Sequence, residues 1–161
     1  SNLSLSSFKS SYYIFFFFHL LQSSDLIYLV ETYGRSTSLY PSNSKHRATV
    51  HQMLFFDQGT IYQRIYDYIS TPLDENKLKK LEDGMEVLDL MLEKRKWAAG
   101  SDRTIADFAL STFGFDFEKY TNIMEWHSKV QSSMEAYQDL YQAPLETVGE
   151  LFQNKLADIN G

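Results

Sequence analysis

The four residues Thr104-Ile105-Ala106-Asp107 fix a helix start in the second half of the chain. A Thr hydroxyl can accept from the amide three residues on, and an Asp at that position can reach back to the Thr N–H. Two of the donors orphaned at a helix N-terminus are then satisfied within one short unit. The motif predicts a helix from Ile105 and accounts for Asp107 as a structural cap, with no need for a catalytic acid there. Trp97-Ala98-Ala99-Gly100 and Ser101-Asp102 lead into it, the apolar run Phe108-Ala109-Leu110 follows, and Asn122-Ile123 and Trp126 lie further on.

Helical spacing runs through most of the remaining chain. Residues 26–33 close with Gly34, a common helix stop, and read as the last turns of a short helix; 35–43 read as a loop. Ser44 is the expected cap of a long helix carrying Ala48, Val50, Met53, Leu54, Phe56, Ile61, Ile65, Tyr68 and Ile69. Thr71-Pro72 ends it, because the residue before Pro avoids the helical region. Such a helix would run about 27 residues, or about 40 Å. The next begins near Asp74 and places Leu78, Leu81, Met85, Leu88 and Leu92 on one face, with Gly84 weakening it by about 1 kcal/mol relative to Ala. Further helices are predicted over 105–113, 121–132 and 145–157. No repeat and no alternating strand pattern appears, so the expected fold class is an all-α helical bundle.

Composition narrows the function. A chain of 161 residues with 43% hydrophobic content makes one ordinary domain. A net charge of −6 argues against binding a phosphate backbone, which needs clustered Lys and Arg; Lys45, His46 and Arg47 make only a short basic spot. The absence of cysteine excludes disulfides and thiolate chemistry and fits a cytoplasmic protein. His46 and His51 are five apart, the wrong spacing to share a helix face, and His19 and His127 are isolated, so no metal site is expected. Residues 1–24 differ from the rest. A Ser-rich stretch leads into Tyr12-Tyr13-Ile14-Phe15-Phe16-Phe17-Phe18-His19-Leu20-Leu21, about half the length of a membrane span. They read either as a segment foreign to the domain or, since Lys9 precedes the apolar core, as a secretory signal.

Four blocks then follow one another in order: Leu29-Val30-Glu31-Thr32-Tyr33-Gly34, Ser38-Leu39-Tyr40-Pro41, Lys45-x-Arg47-Ala48 and Phe56-Asp57-x-Gly59-Thr60-x-Tyr62-Gln63. With the Thr104–Asp107 region this series resembles the insect delta and epsilon glutathione transferases, over about residues 26–161. In that family a thioredoxin-like N-terminal domain binds glutathione and donates the catalytic Ser, while a helical C-terminal domain supplies the pocket for hydrophobic electrophiles. The resemblance makes residues 1–24 a non-homologous segment, 25–34 the last helix of the thioredoxin-like domain, and 44–161 the C-terminal helical domain.

The same resemblance assigns Tyr62, Ile65, Tyr66 and Ile69 to the hydrophobic-substrate wall. It places Asp57 near the γ-glutamyl amine of glutathione and the subunit interface. It implies glutathione as co-substrate with no further cofactor, hydrophobic small molecules as ligands, a homodimer, a cytoplasmic location, and neither nucleic acid nor membrane as partner. No residue matches the family's catalytic Ser by its neighbours, and the Val-Pro turn is missing. The Glu-Ser pair that grips glutathione would fall at Leu21-Gln22, with Ser23 and Ser24 out of register. The helix from Ile105 is shorter than the family's by about two turns, since Ser111-Thr112-Phe113 leads directly into Gly114. The expected activity of these residues alone is therefore none.

Plainer readings stand beside these. A stripe at i, i+3, i+4 and i+7 is ordinarily core, although two phenols on it would favour a wet cleft. Asp57 could be a solvated helix-surface carboxylate. Two rival functions follow: a non-catalytic helical interaction module using the Tyr62–Ile69 face, and a secreted or membrane-associated helical protein led by the Phe run.

Overall fold

A computed structural model describes residues 23–70, 74–111 and 119–134. Their order is α1 (23–33), α2 (Ser44–Phe56), a π-helical turn (Asp57–Tyr62), α3 (Gln63–Ser70), α4 (Glu75–Leu92), α5 (Ile105–Leu110) and α6 (Thr121–Ser132). The expected all-α bundle is what forms, with no strand among the described residues. The nearest thing to sheet pairing there is a tight turn in which Trp97 and Gly100 exchange both backbone hydrogen bonds at 3.0 Å. Gly100 sits at φ +144°, a conformation that residues with a side chain rarely adopt.

The expected elements form with instructive differences. The helix predicted over 121–132 coincides with α6. α5 is six residues long, with Ser111 as its C-cap. The helix predicted over 145–157, the Phe run and residues 112–118 lie outside the described residues. Ser23 and Ser24, grouped by sequence with the leading segment, are already helical in α1. The cap of α2 is Asn43 rather than Ser44, because the Asn43 side-chain oxygen accepts the amides of Lys45 at 3.0 Å and His46 at 3.2 Å. The long helix expected to Ser70 keeps its direction but is interrupted by the wide turn at Asp57–Tyr62.

One apolar cluster joins these helices. Val50, Met53 and Leu54 enter it from α2, Ile61 from the wide turn, and Ile65 and Tyr68 from α3. Leu81, Met85, Leu88 and Leu92 come from α4, Ile105, Ala106, Ala109 and Leu110 from α5, and Ile123, Trp126 and Val130 from α6. The small Ala106 and Ala109 let α5 lie close against α2, so that a six-residue helix is held by packing rather than by its own propensity.

Three polar contacts set how the helices meet. Gly84 leaves room for α3 to approach α4: a Cβ there would lie 3.0 Å from Arg64 Nη1, and that guanidinium donates to the Lys80 carbonyl at 2.6 Å. This close approach offsets the helix propensity that Gly loses. Asp89 on α4 caps α6 from outside, accepting the Ile123 amide at 3.0 Å and the Asn122 side chain at 2.9 Å. The Ile105 amide, left free by its own helix, donates to the Leu39 carbonyl at 3.0 Å and ties the 35–43 loop to α5.

Candidate functional site

The wide turn is where the residues assigned to ligand binding converge. A π-helical turn takes an extra residue into one turn of an otherwise α-helical rod, and such turns are frequent at functional sites. Asp57 opens it and Tyr62 closes it. Asp57 is 1% exposed, so the reading of a solvated surface carboxylate is overturned. Tyr62 is also buried, whereas Tyr66 and Ile69 are half-buried. The rings of Tyr62 and Tyr66 lie near-parallel, 24° apart with centroids at 6.5 Å.

The stripe read from sequence is therefore divided by the fold. Ile65 belongs to the central cluster and Ile69 packs against that cluster's edge. Tyr62 is buried without being part of it. The expectation that both phenols face a wet cleft fails at Tyr62, while Tyr66 keeps partial access to solvent. Burial pushes the Tyr62 phenol well above its usual range, and the neighbouring Tyr66 and Asp57 push it the same way. A phenol so raised stays neutral at any physiological pH and can act as a hydrogen-bond donor.

Sequence reasoning missed the link between this turn and α1. Gln58 donates to the Ser23 hydroxyl at 3.0 Å, which brings the start of α1 beside Asp57. A second link holds the loop after α1. The Tyr40 hydroxyl is 2.6 Å from His51 Nε2, the Arg47 guanidinium stacks 4.3 Å from the Tyr40 ring centre, and Arg47 Nε donates to the Pro41 carbonyl. The Ser38-Leu39-Tyr40-Pro41 block was the available signal, and its role is to dock that loop.

Asp107 is structural, as expected, and does more than cap. Both arms of the capping box are present, the stronger being Thr104 N–H to Asp107 Oδ2 at 2.8 Å. Oδ1 accepts the Ala98 amide at 2.7 Å and the Trp126 indole at 2.8 Å. Burial pushes this carboxyl up, while the donors from Trp126, Thr104 and Ala98 pull it down. Every contact is a donor, so the ionised carboxylate is the form that fits. Among the described residues no cluster of His, Asp and Glu is arranged to hold a metal ion, and no helix is long and apolar enough to cross a membrane.

His127 provides a pH test of this packing. Burial lowers its imidazole below the ordinary value, although the Ser111 carbonyl 3.2 Å from Nε2 opposes the shift. The unfolded chain then binds the proton more readily, so the contribution to stability is present above about pH 6.5 and is lost as pH falls. In urea unfolding between about pH 7 and pH 5, the His127→Gln variant is expected to lose less stability than the parent chain. Parallel profiles would show that His127 does not titrate differently on folding.

No family model matches the chain. It is 35% identical over 146 residues to glutathione S-transferase D7 of Anopheles gambiae, a match that covers 81% of this chain and 67% of that protein. A solved delta-class glutathione transferase of Nilaparvata lugens is 37% identical with a TM-score of 0.72, covering 80% of this chain and 67% of that one. An epsilon-class glutathione S-transferase of the housefly is 26% identical with a TM-score of 0.69, covering 80% and 66%. The chain belongs to the glutathione S-transferase family, among homologues of the insect delta and epsilon classes. It spans about two thirds of the length of these relatives.

Proposed function

We propose that this chain serves the conjugation of glutathione to hydrophobic electrophiles by supplying the electrophile-facing wall. Tyr66 and Ile69 form the accessible part of that wall, and Tyr62 and Ile65 back it from inside. Asp57 lies on the side toward glutathione and the subunit interface. The observation that carries the reading is the Tyr62–Tyr66 pair beside a buried carboxylate in a wide helical turn. Residues 44–161 are the helical domain, 25–34 the last helix of a thioredoxin-like unit, and 1–24 a segment apart from both, although Ser23 and Ser24 join α1. Glutathione is co-substrate rather than bound cofactor, and the working form is a cytoplasmic homodimer.

These residues by themselves do not activate the thiol. Conjugation requires a hydroxyl that favours the thiolate, and none here stands in the matching motif. The purified chain is expected to show no conjugation of glutathione to a chromogenic electrophile and no retention on a glutathione column. It should bind an environment-sensitive apolar dye, and Tyr66→Glu should weaken that binding because a charge must be desolvated. Saturable turnover would refute the inactivity, and unchanged dye affinity in the folded variant would refute the wall.

A further inference from the structure

The outer face of α4 carries apolar residues that the bundle does not use. Leu90 is 68% exposed and Val87 42% exposed, at the wall of a shallow open groove between α4 and the start of α6. Glu86, Asp89, Leu90, Glu93, Tyr120 and Lys119 line that groove. Two of its charges are engaged: Asp89 caps α6, and Lys119 is paired with Glu82 at 2.6 Å. Glu86 and Glu93 are exposed, and neither has an ion-pair partner among the described residues. They stand seven residues apart, about 10 Å along the helix, with Leu90 between them on the same side.

We infer that this groove is a docking surface for a cationic amphipathic segment of a protein partner, with one apolar side chain seated on Leu90 and a Lys or Arg reaching each of Glu86 and Glu93. The charge pattern selects the partner. An acidic or neutral apolar segment would leave two carboxylates facing it without compensation, whereas two cations at helical spacing pair with both. A helical partner with basic residues seven apart and Leu four after the first reproduces the complementary pattern. The face lies on the outer side of α4, on residues separate from the Tyr62–Tyr66 wall, so the inference is independent of the transferase reading.

The test uses the full chain and a fluorescent helical peptide bearing that Lys–Leu–Lys pattern on an Ala background, read by anisotropy. Saturable binding is expected, weakening as salt is raised because exposed charges are screened. Glu86→Lys with Glu93→Lys should reduce affinity at least about tenfold. Leu90→Asp should reduce it comparably, while Glu75→Lys, at the far end of the same helix, should leave it unchanged. All four positions are exposed, so circular dichroism should show the variants folded. No saturation below about 1 mM, or equal affinity in the parent and the double variant, would overturn the assignment. Equal binding of a peptide with Glu in place of Lys would show adhesion to apolar surface only, and overturns it as well.

Discussion

Asp107→Ala is expected to remove several kcal/mol of stability and to leave little folded protein. A lost N-cap alone costs about 1 kcal/mol. Here the same carboxylate accepts from Thr104, Ala98 and Trp126, and its residue is fully buried. Truncation strands three donors with no water to replace the oxygen, and each stranded donor costs about 1–3 kcal/mol. The sum rivals the whole stability of an ordinary domain, about 5–15 kcal/mol. Thr104→Ala, which leaves the carboxylate in place, should cost only about 1 kcal/mol, and the pair should fall short of additivity because the two share one box. Urea midpoints followed by circular dichroism measure all three. A loss near 1 kcal/mol for Asp107→Ala would mean that the Ala98 and Trp126 bonds contribute nothing.

Tyr62→Ala should cost about 3 kcal/mol or more, since removing a packed aromatic ring loses its burial and leaves a cavity. Tyr66→Ala, from a half-buried position, should cost about 1 kcal/mol. Dye binding should show the reverse order, with the Tyr66 variant losing more for its smaller structural cost. This crossing separates a wall residue from the residue that backs it. If both variants lose the same stability and neither alters dye binding, the whole stripe is core.

How far the sequence could be read depends on how local each cause is. The box at Thr104 and Asp107 was readable because cap and amide lie within four residues of one another. Its further bonds to Ala98 and Trp126 were not, since they depend on which segments the fold brings together. Burial of the α4 face followed from spacing, as Leu81, Met85, Leu88 and Leu92 show. Asn43 and Ser44 are both good caps and adjacent, so only the observed backbone chooses between them. The wide turn at Asp57–Tyr62 left no mark in the residue pattern, because an extra residue in one turn changes the phase of a helix and not its apolar content. That phase decides that Asp57 is buried and that Tyr62 and Tyr66 part company.

The turn also sets what lengths this helix tolerates. One surplus residue is worth about 100° of rotation, so α3 faces about a quarter-turn away from where a straight continuation of α2 would aim it. A deletion at Gly59, which is exposed and has open space around it, could close the turn into a regular helix without breaking a local contact. It would nonetheless swing Ile65 and Tyr68 off the core and carry Tyr66 and Ile69 with them. Replacing Gly59 in place touches none of this. For this stretch the count of residues is under tighter constraint than their identity.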